Sequence, residues 1–459
     1  MTGPRALFWL ASAAFFMQSL DTTMLYVAVP AIARALHQPV LRMEPIVMAY
    51  VITVVAFTPI NSWLSQHLGE RRTCLAALTI FTGGALLCFH ADSAFQLGLG
   101  RFIQGTGGAL LLPVIRTQVL RYTPADTRLS FLNRMTLLGM FGTLTGPLLG
   151  SLLTDGLSWR AIFIAPVPLA LLCLWLAWRI LPTDSGTRVS ACRVSMRNLL
   201  PLVGILLTVT LLLAAAPRHL LSLPVIVLLG LACTLCTLFY LRSDLPGREA
   251  LLPVSLFSIR SFYVGVWGGV LTRLLLASLP VVISLVVQTS LGLPPATAGL
   301  IMLLFSLGAL LAKLVFEPLI RWLGYRNVLM YGTLLASALV LLLGLAIQHR
   351  LLPVIGVCAV AIGLMTALLH SAESTLACCH LCSDTYNSGN NIMILSQLIA
   401  VMLSMALTFP ALRLFSQWEP LLNINHFSLL LLLLGTGLPL SCLLFRHLSH
   451  EEGKTLLTP

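Results

Sequence analysis

A few ionisable side chains lie inside long apolar runs, and they are the residues whose chemistry the rest of the chain has to position. Arg101 sits in Gly-Arg-Phe-Ile-Gln-Gly-Thr-Gly-Gly-Ala-Leu-Leu-Leu-Pro, residues 100–113. A guanidinium within a bilayer costs about 2.5–3.5 kcal/mol on insertion scales, so Arg101 must face a partner or a wet cavity. Asp21 lies in the middle of another apolar run, 8–30. Desolvation there disfavours the charged carboxylate, and a nearby cation favours it. A carboxyl that passes between wet and dry surroundings binds a proton on one side and releases it on the other, which is the chemistry of proton coupling. The alternative for Asp21 is a fixed hydrogen bond, accepted from neighbouring threonines or made as the cap of a broken helix. For Arg101 it is a static salt bridge or a clamp on backbone carbonyls.

The second half of the chain offers Arg273, Lys313, Glu317 and Glu373 within or at the ends of apolar spans. Lys313 and Glu317 are four apart, on one helix face, and are expected to neutralise each other. Arg273 has no such neighbour, so it either binds an anionic group or pairs with Glu373. Glu373, with His370 three residues before it, is a second titratable site or half of a buried structural pair. The run Cys378-Cys379-His380-Leu381-Cys382 crowds thiols and an imidazole together. It lacks the second ligand cluster that tetrahedral metal sites show, so no metal is expected.

The elements that hold these residues are apolar helices. Of 459 residues, 58% are hydrophobic and 9% charged, with a mean hydropathy of +0.96, too few charges to cover a soluble protein of this size. Runs of about 20 apolar residues recur and read as membrane spans. The first, with Asp21 inside it and no small-residue cleavage site, reads as a retained helix. The eleven cysteines are scattered, mostly within apolar runs, and do not form a disulfide framework. The net charge of +12 belongs to loops facing the cytoplasm and not to a nucleic-acid surface.

Fourteen spans are expected, near 8–30, 45–66, 73–90, 95–115, 131–153, 160–181, 199–216, 222–241, 262–288, 296–320, 327–348, 352–376, 390–410 and 427–446. With the N-terminus inside, eighteen of the 27 Lys and Arg fall on the inner side, six on the outer, and Arg101, Arg273 and Lys313 remain within the membrane. Both termini are therefore expected in the cytoplasm. A short repeat joins Leu68-Gly69-Glu70-Arg71-Arg72, after the second span, to Leu323-Gly324-Tyr325-Arg326, after the tenth. The expected organisation is an all-α polytopic membrane protein with two six-helix halves, 1–181 and 262–459, the second ending in a short cytoplasmic tail. A linker, 182–261, carries two extra central helices. Two related halves flanking a site is the architecture of secondary transporters.

Local patterns carry a family resemblance. They are Leu20-Asp21-Thr22-Thr23 with Val27-Ala28-Val29-Pro30, then Arg101, Gln104, Gly105, Gly107 and Gly108 as Arg-x-x-Gln-Gly-x-Gly-Gly. Gly142-x-x-x-Gly146-Pro147-x-x-Gly150-Ser151 and Ser158-Trp159-Arg160-x-Ile162-Phe163 complete the set. Together they resemble the fourteen-helix drug:proton antiporter branch of the major facilitator superfamily. The string Phe15 to Thr23 is similar to that of enterobacterial multidrug-resistance-type members, and the second half resembles them more loosely through Arg273, the turn at Leu323 and Ser388-Gly389-Asn390. The chain departs from the pattern after the second span, where Gln66 replaces the family's acidic gate residue, and at Tyr26 and Pro166, where the family has Asn.

The resemblance implies the major facilitator fold and a role for Arg101 in proton handling, for which Asp21 and Glu373 are candidates by their own placement in apolar helices. Gln18, Gln104, Arg273 and His370 become candidates for the substrate cavity. Gly105, Gly108, Gly142, Gly146, Pro147, Gly150, Gly69, Arg71, Arg72, Gly324 and Arg326 become candidates for helix packing and gating. Glycines four apart, as at 142, 146 and 150, form a smooth face for close helix approach, and Pro147 should bend its helix. The implied function is proton-coupled export of small molecules by alternating access, with no enzyme activity. No phosphate-binding Gly-x-x-x-x-Gly-Lys-Ser/Thr motif occurs, so the energy source is a proton gradient and no cofactor is needed. The partners are a small-molecule substrate, protons and the lipid bilayer, in the inner membrane, with the chain acting as a monomer. Alternatives are an exporter dedicated to an anionic or carboxylate metabolite, such as a siderophore or citrate-like acid, and a transporter-like sensor that moves nothing.

Overall fold

The computed structural model describes residues 4–123, 125–181, 201, 204–205, 208, 223–243, 254–381 and 383–448, and these are helical, without strands. The chain divides into two compact units, Met1–Leu251 and Leu252–Pro459. The division falls inside the expected linker.

In the first unit α1 (Pro4–Ala35), α2 (Glu44–Leu68), α3 (Glu70–Phe89), α4 (Ala94–Tyr122) and α5 (Ala125–Gly156) follow one another closely. The expected sixth span is two pieces, α6 (Ala161–Ile164) and α7 (Val167–Ile180), broken where Pro166 and Pro168 interrupt the backbone donors. Next, α8 (Leu223–Ser243) matches the span expected at 222–241. The span expected at 199–216 lies outside the described residues, apart from isolated positions.

In the second unit the span expected at 262–288 is α9 (Arg260–Leu276), α10 (Leu279–Leu285) and a π turn, Val286–Ser290. Then come α11 (Pro295–Gln348), α12 (Leu352–Cys378), α13 (Ser383–Leu422), α14 (His426–Gly437) and α15 (Leu440–Phe445). Pro280 and Pro439 stand at the two breaks within the apolar spans, as Pro166 does in the first unit. α11 holds two of the expected spans, joined at Gly324.

Among the described residues, nine helical stretches are long and apolar enough to cross a membrane. The 32-residue α1 and 29-residue α4, which carry Asp21 and Arg101, are of spanning length as well. Large apolar side chains face outward throughout, for example Trp178, Leu228, Trp322 and Val357, as a lipid-facing surface requires.

The two units share an internal packing scheme. In the first, the first helix lies along the fifth, and the second and third pack on the fourth. In the second, α9 lies along α13, and both arms of α11 occupy the places of second and third helix against α12, the fourth. The turn between second and third helix is built alike. Gly69 has φ 88°, ψ 155° and Gly324 has φ 75°, ψ 162°, a region open essentially only to glycine. The short sequence repeat is thus a backbone repeat.

Glycines set the closest helix approaches. A Cβ on Gly142 would lie 2.5 Å from the Phe16 carbonyl oxygen, and one on Gly150 would lie 2.8 Å from Met24 Cα, so α5 presses directly on the α1 backbone. Gly146 completes that face against Thr23 and Leu20. In the second unit Gly308 meets the Val360 carbonyl and Gly363 meets the Phe305 carbonyl, a reciprocal crossing of α11 and α12. Pro147 lies inside an unbroken α5.

Candidate functional site

In the first unit α5 clamps the stretch of α1 that carries Asp21, while α4 presents Arg101 and Gln104 three residues apart on one face. Arg101 Nη1 donates to Asp21 Oδ2 at 3.0 Å and to Gln104 Oε1 at 2.9 Å, and Gln104 Nε2 donates to Asp21 Oδ1 at 2.8 Å. The three side chains close a hydrogen-bonded triangle. Asp21 is 2% exposed and Arg101 1%, the largest of the fully buried side chains.

The triangle has an aromatic wall. The guanidinium carbon lies 4.5 Å from the centre of the Tyr50 ring on α2 and 5.9 Å from that of Phe163 on α6. Gly105 and Gly108 make this possible. Cβ atoms there would lie 2.9 Å from the Tyr50 carbonyl oxygen and 2.6 Å from Tyr50 Oη, so only glycine lets α2 come close enough to face Arg101. Gly107 and Gly84 do the same for α3, against Phe81 and Gln104.

The threonine alternative for Asp21 is not what the structure has. Thr22 and Thr23 donate to the carbonyls of Gln18 and Ser19 on their own helix, and α1 runs unbroken past Asp21. Such back-bonding satisfies a hydroxyl in an apolar helix without a second helix. Gln18 lies one turn before Asp21, its Nε2 facing Gly108, and its Oε1 is buried without a hydrogen-bond partner.

The second unit holds a matching couple on the matching helices, with the charges exchanged. Arg273 of α9 donates through Nη1 to Glu373 Oε2 of α12 at 3.0 Å, and Thr272 Oγ1 donates to Glu373 Oε1 at 2.6 Å. Arg273 Nη1 also reaches the Gly269 carbonyl at 3.1 Å, and Nη2 reaches the His370 carbonyl at 3.5 Å. A Cβ on Gly269 would lie 2.7 Å from Arg273 Nη1, so this glycine makes the space for the couple. His370 Nε2 is buried with no hydrogen-bond partner.

The expected Lys313–Glu317 pair does not form. Glu317 is bound by Arg321 at 2.6 Å, one turn further along α11, and Lys313 is exposed. An acid placed N-terminal to its base at this spacing is the more favourable orientation, and Arg321 offers it where Lys313 does not.

At the turns, Arg71 Nη2 donates to the Trp178 carbonyl at 2.6 Å and fastens α3 to the last turn of α7. Glu70, next to it, accepts from Gln118 of α4. Arg72 also has interactions, while Arg326 Nε is buried without a partner. At the end of α12, His380 Nδ1 lies 2.9 Å from Ser261 Oγ and 3.0 Å from Cys379 Sγ. Sequence reasoning brought out Asp21, Arg101, Arg273 and Glu373 but missed Tyr50 and Gly269, and gave Phe163 only as part of a family pattern. It also passed over Thr272, whose position beside Arg273 inside an apolar run was the available signal.

Known proteins agree with this architecture. Proteins provisionally named multidrug resistance protein MdtD are similar over most of their length. That of Pectobacterium carotovorum subsp. carotovorum (strain PC1) is 30% identical over 411 residues, covering 89% of this chain and 87% of the relative. That of Yersinia enterocolitica serotype O:8 / biotype 1B is 33% identical over 402 residues, covering 86% and 83%. Among solved structures, a D-xylose-proton symporter superposes with a TM-score of 0.70 at 15% identity, over 98% of both chains. A POT family transporter in complex with 5-aminolevulinic acid gives 0.72 at 16%, over 98% of this chain and 96% of that one. The family model described as Major Facilitator Superfamily matches residues 11–277, from the helix of Asp21 past Arg273, and the chain is a multi-pass membrane transporter belonging to that superfamily.

Proposed function

We propose that this chain is a proton-coupled exporter of small molecules that works by alternating access, and that Asp21 is its proton-coupling carboxylate. The observation that carries this reading is the buried triangle of Asp21, Arg101 and Gln104. Arg101 touches the carboxylate through a single nitrogen and has Gln104 and the Tyr50 ring as further partners. When Asp21 is protonated, Gln104 still accepts from Nη1 and the Tyr50 ring still faces the cation, although Nε has no hydrogen-bond partner, so the acid can change charge without ejecting its arginine. Gln104 can turn its amide to match either state.

The names of the relatives extend this reading to multidrug efflux. Gln18, with a free buried acceptor beside the triangle, is a candidate for substrate contact. The reading also places both termini in the cytoplasm of a bacterial inner membrane, by charge distribution, with the chain acting alone and driven by the proton gradient without a cofactor. A dedicated carboxylate exporter drew support from the intramembrane arginines, but Arg101 and Arg273 are both matched by carboxylates. Lys313, exposed on α11, is the remaining basic residue for that reading.

Ethidium extrusion from energised cells tests the coupling role. Asp21→Asn is expected to abolish extrusion while the protein stays folded in the membrane, and unimpaired extrusion by that variant overturns the role of Asp21. Vesicle uptake of citrate measured against tetraphenylphosphonium separates the two substrate classes.

A further inference from the structure

We propose that the Arg273–Glu373 couple is a second proton-exchange site, so that each unit carries one titrating carboxylate and the transport cycle moves two protons. The inference deepens the proposed antiport and rests on it.

Three features separate this couple from a fixed structural pair. The contact is single: one guanidinium nitrogen of Arg273 meets one oxygen of Glu373, although the fork geometry of arginine would allow two parallel bonds. The arginine also has neutral alternatives, the carbonyls of Gly269 and His370, one on each of the two helices it joins. These hold the cation when the carboxylate is discharged, as Gln104 and Tyr50 do for Arg101. Finally, the guanidinium occupies the volume that a side chain at position 269 would need, since a single methyl group there would lie 2.7 Å from Arg273 Nη1 and 3.2 Å from Glu373 Oε2.

A polar helix face also leads to the couple. Glu373 lies five residues before the end of α12 at Cys378, about 7–8 Å of helix rise from that end. Away from that end, His370 and Thr366 continue the same helix face, at three and seven residues from Glu373. His370 Nε2 and Thr366 Oγ1 are both buried without hydrogen-bond partners in the protein. Buried polar atoms of this kind are ordinarily satisfied by water, so the face reads as a polar track leading to the carboxylate. The charged group that reaches Glu373 is Arg273 from α9, and His370 is the titratable group on its own helix. The other helices packed on α12, α11 and α13, bring no ion pair to it among the described residues.

The step is a proton transfer with no electron transfer. A proton from the aqueous phase, relayed over His370, forms an O–H bond on Glu373, the carboxylate becomes neutral, and Arg273 is held by the contacts it already makes to the two carbonyls. Deprotonation reverses each change.

Infrared difference spectra of the full chain in lipid nanodiscs, titrated with pH and with the proton as the only ligand, read this directly. Two carboxylic-acid C=O signals are expected on acidification, one missing from Asp21→Asn and the other from Glu373→Gln. Thr272→Val, an isosteric change that removes the donor to Oε1, is expected to shift the frequency of the second signal alone. The double variant Arg273→Gln/Glu373→Gln removes both charges together and should lack the second signal while keeping the first. A Glu373→Gln or double-variant titration that superimposes on the wild type, with no band responding to Thr272→Val, overturns the second site and leaves Asp21 standing. Absence of the Asp21 signal alone overturns the first site and leaves Glu373 standing.

Discussion

Adding one methyl group to the glycine face of α5 should weaken the fold and uncouple the site together. In Gly150→Ala the new Cβ would lie 2.8 Å from Met24 Cα and 2.9 Å from the Met24 carbonyl oxygen, where ordinary contact begins at 3.4 Å. Both obstacles are backbone, so no side chain can turn aside, and α1 must part from α5 by about 0.6 Å. Overpacking of this kind costs about 1–3 kcal/mol. At about 2–4 °C per kcal/mol, a loss of 2 kcal/mol lowers the melting point by about 4–8 °C. Asp21 rides on the displaced segment, one turn from Met24. A shift of that size across its 3.0 Å bond to Arg101 takes the contact to about 3.6 Å, beyond hydrogen-bond range. Cys74, Cys88 and Cys173 are fully buried, so their reaction with a thiol-specific fluorophore on heating reports unfolding without an added label site. Gly98→Ala is the control: it lies in α4, no atom stands within 4 Å of its Cβ, and it should gain about 0.5–1 kcal/mol from helix propensity. If Gly150→Ala melts with Gly98→Ala and extrudes ethidium like the wild type, the close approach of α1 and α5 does not set the site.

Tyr50→Phe keeps the ring under Arg101 and should leave ethidium extrusion near wild type, whereas Tyr50→Leu removes a desolvated cation–π contact of about 2 kcal/mol and should cut extrusion severely; equal activity of the two variants refutes a role for the ring. Gly69→Ala and Gly324→Ala should each cost about 1–3 kcal/mol in thermal stability because of backbone conformation, and at Gly324 the cost arises although a Cβ there meets nothing within 4 Å. Asp92→Asn removes an exposed ion pair with Arg160 and should cost less than about 1 kcal/mol. Arg160→Ala should cost more, because Arg160 also donates to the Ala91 carbonyl and stacks on Trp159 at 4.5 Å, and equal melting points for the two variants would contradict this.

What a sequence makes legible here depends on contrast. A charge in an apolar run is conspicuous because the bilayer penalises it, so Asp21, Arg101, Arg273 and Glu373 could be singled out before any coordinates. Glycines at a spacing of four announced a close helix approach to α5, though not that α1 makes it, because their pattern is a face. The helix breaks at Pro166, Pro280 and Pro439 follow from missing donors, yet apolarity alone runs straight across them, so each was read within a single span. The π turn at Val286–Ser290 has no comparable signal in its residues. Glu317 shows a different failure, since two bases at the same spacing competed for it and the helix-direction rule decided for Arg321.

Tyr50 and Gly269 escaped because nothing in a single sequence distinguishes an aromatic ring or a glycine in an apolar helix from packing. Their meaning comes from what lies opposite: Tyr50 matters because Gly105 and Gly108 bring it onto a guanidinium, and Gly269 because Arg273 fills the volume its side chain would occupy. The charges of a buried couple are thus written in its own residues, whereas its capacity to change charge is written in its neutral neighbours. Gln104 and Tyr50 around Arg101, and the carbonyls of Gly269 and His370 around Arg273, decide whether the arginine can outlast the discharge of its acid. For this transporter those neutral partners are therefore a sharper test of proton coupling than the carboxylates, because a structural salt bridge would also contain the acids and would not need the reserve contacts.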